Sequence, residues 1–196
     1  MGSAIDERRS IRKFKDTPVS ENDILEILKS GIAAPSSKNG QPWRYTVVRG
    51  SQKAEMIKAF REGIAREQRD PLLPKNRDNA QYAEYTVRVM EQAPVVIFVE
   101  NTLGKSVREP ATPEERVAEI CNVQSIGAAI ENMCLRATEL GLGSLWICDL
   151  FFAYQELCSW LGSEDQLVAA VAIGYPDEAP PARPRKSIED VVVWRT

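Results

Sequence analysis

The sequence reads as one mixed domain in which amphipathic helices are interspersed with short apolar strands. Three observations predict this. Several long runs carry apolar residues every three or four positions, and short runs of alternating or continuous apolar residues lie between them. The length of 196 residues suffices for a single sizeable core. Hydrophobic residues make up 43% and charged residues 27%, so no membrane-like or disordered bias competes with that reading. The net charge of −3 gives no reason to expect nucleic acid as a partner.

Ser3 to Arg9 is expected to form a short helix, with Ser3 as its cap and Asp6 three residues on. The segment Arg8-Arg9-Ser10-Ile11-Arg12-Lys13-Phe14-Lys15 then places five cations around a serine and two apolar residues. Ile11 and Phe14 would tie it to a core and hold the arginines in fixed directions. Fixed arginines suit a phosphate or carboxylate, because the guanidinium fork bonds two oxygens at once. Ser20 to Asp23 opens a second helix as a capping box with Asp in the Glu position, followed by Ile24, Leu25, Ile27, Leu28 and Ile32 at helical spacing.

That helix delivers the chain to Ala34-Pro35-Ser36-Ser37-Lys38-Asn39-Gly40-Gln41-Pro42-Trp43, a loop rich in free polar groups between two prolines. Proline stops regular structure on both sides, and Gly40 is expected to take the turn that other residues resist. Such a junction can hold a polar, planar ligand, although a well-capped connector is the commoner use. Arg44–Arg49 alternates as a strand, Gly50 turns, and Ser51 is expected to cap a helix bearing Met56, Ile57, Phe60 and Ile64. Arg66 to Ala80 is charged and interrupted by Pro71 and Pro74, which predicts an insertion or lid. Tyr82, Tyr85, Val89 and Met90 restore a helical stripe, Val95–Val99 reads as a buried strand, and Asn101–Ala111 is a second irregular loop. Substrate selection is expected in these two loops.

Thr112-Pro113-Glu114-Glu115 is the clearest helix start, with a cap, a proline at the first position and an acid at the third. The helix should run to about Leu140 as either a core helix or a dimer seam. Gly141-Leu142-Gly143 stops it; Trp146 stands where a dinucleotide fingerprint would need its third glycine. Ser144–Cys148 reads as a strand, Phe151–Leu161 as a helix, Leu167–Ile173 as an apolar strand and Gly174-Tyr175-Pro176 as a turn. The proline-rich stretch Ala179–Pro184 leads into a second basic knot, Arg183-Pro184-Arg185-Lys186. Ile188–Trp194 then reads as a terminal strand that must pair, in its own sheet or in a neighbour's.

The chain has no histidine, and its four cysteines lie ten or more residues apart. This argues against a zinc site and against histidine-based acid–base or nucleophilic chemistry, and it makes a cofactor the natural carrier of any reaction. The apolar run Leu167–Ile173 is far too short to span a bilayer, and Met1 to Arg12 is too polar for a secretory signal, so a cytoplasmic location is expected.

Taken in order, the motifs at Arg8–Arg12, Ala34–Trp43, Gly141–Ile147, Ile173–Pro176 and Arg183–Lys186 closely resemble those of the nitroreductase family of FMN-dependent oxidoreductases. The likeness covers nearly the whole chain. It implies an α+β fold with a mostly antiparallel sheet flanked by helices, residues 1–196 forming one nitroreductase-like FMN-binding domain. It also implies an interlocked, obligate homodimer that exchanges C-terminal segments and holds tightly bound FMN at its interface, with NADH or NADPH as reductant. By this resemblance Arg8, Arg9, Ser10 and Arg12 would contact the phosphate, ribityl chain and pyrimidine edge, and Arg183 and Arg185 would reach the phosphate from the same subunit. Pro35, Ser36 and Ser37 would come from the partner, Asn39 and Gln41 would line or brace the pocket, and Trp146, Ile147 and Cys148 would run along the ring near N5.

The implied mechanism is ping-pong: NAD(P)H delivers its hydride and leaves before a nitroaromatic, quinone or other conjugated acceptor enters. No catalytic side chain is expected, because the flavin carries the chemistry. A cation such as Arg12 near N1 would favour the anionic reduced ring. A same-fold specialist in reductive dehalogenation or flavin cleavage, and a non-catalytic flavin-binding protein, are the alternatives. One departure concerns Cys148-Asp149, where many family members have glycines. An acid there would alter redox potential or substrate charge preference, unless both side chains point away.

Overall fold

The computed structural model describes residues 2–71 and 76–196. Local sequence signals set most element boundaries. Ser3 caps α1 (Ala4–Glu7), its hydroxyl accepting from the Asp6 N–H at 3.4 Å. Ser20 does the same for α2 (Glu21–Ile32): its Oγ accepts from the Asp23 N–H at 3.1 Å and donates to the Asp23 carboxylate at 2.8 Å. β1 (Trp43–Arg49) follows, then α3 (Gln52–Glu67) and α4 (Asn76–Gln92). Ser51 already has helical dihedrals and makes no side-chain cap bond, so the expected cap of α3 is not formed. β2 (Val95–Asn101) leads to α5 (Pro113–Glu139), whose complete capping box joins Thr112 and Glu115. α5 ends in a Schellman motif, with the Leu142 N–H reaching Ala137 O at 2.8 Å and the Gly141 N–H reaching Thr138 O at 3.0 Å. β3 (Gly143–Ile147), a 3₁₀ turn (Asp149–Ala153), α6 (Tyr154–Leu161), β4 (Gln166–Gly174) and α7 (Ile188–Val191) complete the order.

The sheet runs β1-β2-β4-β3 with every pair antiparallel. Both faces are covered, which is why β2 and β4 are continuous apolar runs rather than alternating ones. Val96 and Phe98 of β2 face a core built with Met56 and Phe60 of α3, Val87 and Met90 of α4, and Leu157 of α6. Val95, Ile97 and Val99 face the opposite core, with Ile24 and Ile27 of α2 and Ile126, Ile130 and Met133 of α5. Beyond β3, Ser10 bridges to Ser144 and Phe14 to Pro176, so the basic N-terminal segment lies along the sheet's flank.

Four further expectations about the elements are corrected. The insertion placed at Arg66–Ala80 is invaded from both sides, since Arg66 and Glu67 belong to α3 and Asn76–Ala80 to α4; residues 72–75 of that stretch lie outside those described. Tyr82 and Tyr85 are exposed, because the core stripe of α4 is Ala83, Val87 and Met90, one step out of phase with the tyrosines. The helix expected over Phe151–Leu161 is divided: the 3₁₀ turn Asp149–Ala153 precedes α6, and Ala153 packs closely on Gly63 of α3. Ile188–Trp194 is not a strand. Ser187 and Asp190 form a capping box that winds Ile188–Val191 into one helical turn, and residues 181–196 are exposed. Among the described residues, no helix is long and apolar enough to cross a membrane.

Candidate functional site

The two basic knots meet. Arg8, Arg9, Ser10 and Arg12 line one side of a cleft of about 470 Å3, and Arg183 and Arg185 line the other, with Pro180, Pro181 and Ala182 of the proline arm. More than 160 residues of sequence separate the sides, and hydrogen bonds from the Arg12 and Lys13 N–H groups to Glu178 Oε1, at 2.5 and 3.2 Å, hold them together. Further along, the Asp177 N–H donates to Lys13 O at 2.9 Å.

Carbonyl oxygens orient the guanidinium groups. Arg9 donates to Asp6 O at 2.6 Å and Arg8 O at 2.8 Å, Arg12 to Ser10 O at 3.2 Å, and Arg185 to Arg183 O at 3.2 Å. A carbonyl uses one donor and leaves the charge intact, and each guanidinium has five N–H groups, so the fork stays available to an anion. Arg8 is the exception, ion-paired with Glu131 of α5 at 3.2 Å. Asp6 is the one carboxylate on the cleft wall, against five guanidinium groups. That donor set matches a phosphate.

The loop at Pro35–Gln41 lies apart from this cleft. It is bound to α5, where the Ser37 N–H donates to Ser125 Oγ at 3.1 Å, and it is closed by the Gln41 N–H donating to Ser36 Oγ at 3.0 Å. Gly40, expected to take the unusual conformation, has an ordinary φ of −69°. Lys38, Asn39 and Gln41 take it instead, at φ of 52°, 54° and 44°. Left-handed backbone at three non-glycine residues costs about 1 kcal/mol each, strain of the kind concentrated at binding loops. Pro35, Ser37, Asn39 and Gln41 are exposed on this loop and Ser36 is half-buried, and none of the five lines the arginine cleft of its own chain.

Trp146 and Ile147 alternate across β3. Ile147 is buried in the core shared with α3 and α4, and Trp146, 39% exposed, leans over Gly127 of α5 on the other face. Cys148 follows as an exposed thiol whose pKa is raised by desolvation and then by the neighbouring Asp149 charge. Asp149 is exposed and is held to α4, where its carboxylate accepts from Thr86 Oγ1 at 2.9 Å. Glu131, Ser125 and Thr86, which fix these groups, escaped the sequence reading because each is an ordinary helical residue far along the chain from what it holds.

A sequence model described as the nitroreductase family matches residues 5–175, so the chain belongs to the nitroreductase family. It is 29% identical to a Bacillus subtilis protein described as a candidate NAD(P)H nitroreductase, YfhC, over 93% of this chain and 88% of that one. It is 28% identical to the 5,6-dimethylbenzimidazole synthase of Rhodospirillum rubrum, over 89% of this chain and 81% of the relative. Among solved structures, a candidate nitroreductase of Desulfovibrio desulfuricans in complex with FMN superposes with a TM-score of 0.73 at 26% identity, covering 98% of this chain and 95% of that one.

Proposed function

We propose that the protein is an FMN-dependent oxidoreductase that uses NADH or NADPH to reduce nitroaromatic, quinone or similar conjugated acceptors, acting as an obligate homodimer in the cytoplasm. The observation that carries this reading is the convergence of Arg8, Arg9 and Arg12 with Arg183 and Arg185 on one cleft. Its excess of oriented guanidinium groups fits the dianionic phosphate of FMN. Bound there, FMN would supply hydride chemistry that the side chains of a histidine-free chain are not expected to provide.

The chain's own groups then have distinct tasks. Arg8, Arg9, Arg183 and Arg185 anchor the phosphate, Ser10 offers a hydroxyl to the ribityl chain, and Arg12 places a positive charge at the pyrimidine edge. The backbone of Trp146, Ile147 and Cys148 would run beside the ring, since the Ile147 side chain is buried in the core. Pro35, Ser36, Ser37, Asn39 and Gln41 act on the site of the partner subunit, which is why they stand apart from the arginines of their own chain. Two surfaces support dimerisation: the first half of α5 exposes Val117, Ile120 and Val123, and the tail exposes Ile188, Val193 and Trp194. Apolar surface of this kind is expected to be covered by a second copy.

A second reading is favoured by the similarity to 5,6-dimethylbenzimidazole synthase, which nearly equals the similarity to YfhC. In it the same cleft serves flavin cleavage. A visible spectrum of the purified protein with FMN, followed by anaerobic NADH or NADPH and then an acceptor, separates the two. A flavin that bleaches and recovers with a nitroaromatic supports the reductase. One that bleaches and is consumed when oxygen returns supports the specialist, and failure to bind FMN refutes both.

A further inference from the structure

The carbonyl-bonded guanidinium groups of the cleft are all held by a terminal nitrogen. Arg9 and Arg185 each donate twice from Nη1, and Arg12 donates once from Nη1. Arg8 is held differently: its Nε, at the stem of the group, lies 3.2 Å from Oε1 of Glu131 on α5. No hydrogen bond or ion pair among the described residues engages either terminal nitrogen of Arg8. Glu131 does not line the cleft, so its carboxylate holds Arg8 from behind and does not face the anion. Its mount is rigid, since Ile130, Met133 and Cys134 beside it on α5 are buried in the core. By contrast, none of the four residues of α1, which leads directly into Arg8, is buried. The pair is partly sheltered, the Arg8 side chain being 24% exposed and that of Glu131 43%.

We propose that Glu131 is a positioning residue, which fixes the Arg8 guanidinium before the ligand arrives so that both terminal nitrogens meet the phosphate as a pair. The proposal rests on the reading of the arginine cleft as the FMN phosphate site. Two parallel bonds from one planar group are directional, and a side chain already held in place loses little freedom on binding. Arg8 is then the end-on fork of the cleft. Arg9 and Arg185, whose Nη1 protons are both engaged, offer a side-on contact through Nε and Nη2 instead. The Glu131 charge itself opposes a nearby anion, so orientation and charge act in opposite directions and two substitutions separate them. Alanine removes both effects, whereas glutamine removes the charge and keeps an acceptor oxygen facing Nε.

The test is fluorescence titration of FMN into the apoprotein of wild type, Glu131→Ala and Glu131→Gln, each with and without Arg8→Ala. Glu131→Ala should weaken FMN about two- to tenfold, the cost of ordering one long side chain on binding. Glu131→Gln should bind at least as tightly as wild type. In the Arg8→Ala background neither substitution at position 131 should weaken FMN further. A general loss of structure would weaken FMN in either background, so that comparison separates positioning from folding. The proposal is overturned if Glu131→Ala binds FMN as tightly as wild type, if Glu131→Gln is as weak as Glu131→Ala, or if the loss persists without Arg8. Failure of the wild type to bind FMN is a separate result, which refutes the cleft as a phosphate site and the role of Glu131 with it.

Discussion

Arg185→Ala is the most direct test of the arginine cleft. Arg185 is exposed, and its Nη1 is held by two carbonyls of its own arm, Arg183 O at 3.2 Å and Pro184 O at 3.4 Å. Its truncation therefore uncovers no core and strands no carboxylate, and global stability should change by less than about 0.5 kcal/mol. The loss falls on the ligand. A charge-assisted bond to phosphate is worth about 1.5–3 kcal/mol, which is about 10- to 150-fold in Kd. A Coulomb estimate for a pair about 4 Å apart near a protein surface gives an upper bound of about 4 kcal/mol, reduced by solvent and salt. Fluorescence titration of FMN into apoprotein at low and moderate ionic strength measures the change directly, and the mutant's deficit should shrink as salt rises. Arg8→Ala should weaken binding similarly, with a small extra stability cost from leaving Glu131 without its 3.2 Å partner. Unchanged Kd in both variants would refute the assignment of these residues to a phosphate.

Three further outcomes are expected. Removing residues 187–196 should convert a dimer to monomer and release FMN, measured by light scattering and absorbance; a stable flavin-bound dimer would show that the tail is not exchanged. Gly63→Ala would set a methyl group 2.3 Å from Ala153, so overpacking should cost about 1–3 kcal/mol, and thermal melts should fall by about 2–4 °C per kcal/mol. Burial pushes the Cys134 and Cys158 thiols up to about 11, whereas an unfolded thiol ionises near 8.5. The folded chain keeps protons that the unfolded one releases, so this contribution is intact below about pH 8.5 and is lost as pH rises toward about 11. Urea midpoints across that range should fall more steeply for wild type than for Cys134→Ala, and equal slopes would contradict the burial argument.

Much of this architecture was legible because caps are local. Thr112, Pro113 and Glu115 announce α5 within four residues, and Gly141 ends it with a conformation the sequence makes cheap. The cleft was legible only as two cationic knots, since their meeting depends on Glu178, whose carboxylate carries no local signal of bonding to Arg12 and Lys13. The left-handed backbone of the loop falls not on Gly40 but on Lys38, Asn39 and Gln41, of which only asparagine favours it. The tail carries five apolar residues that suggest a strand, but the capping pair Ser187 and Asp190 decides the local conformation. Of the stripe Tyr82, Tyr85, Val89 and Met90, the last two are buried and the tyrosines are exposed, since Ala83 and Val87 complete the inner face.

The pairing of Phe14 with Pro176, Lys13 with Asp177 and Arg12 with Glu178 has a temporal meaning. A ribosome extends the chain from its amino end, so the arginines of the first knot wait while more than 160 further residues are made. They acquire their opposite wall only when the proline arm emerges, and late closure across so long a separation is the slow kind. An anion offered to the nascent chain should thus find only half of the cleft until the proline arm has left the exit tunnel.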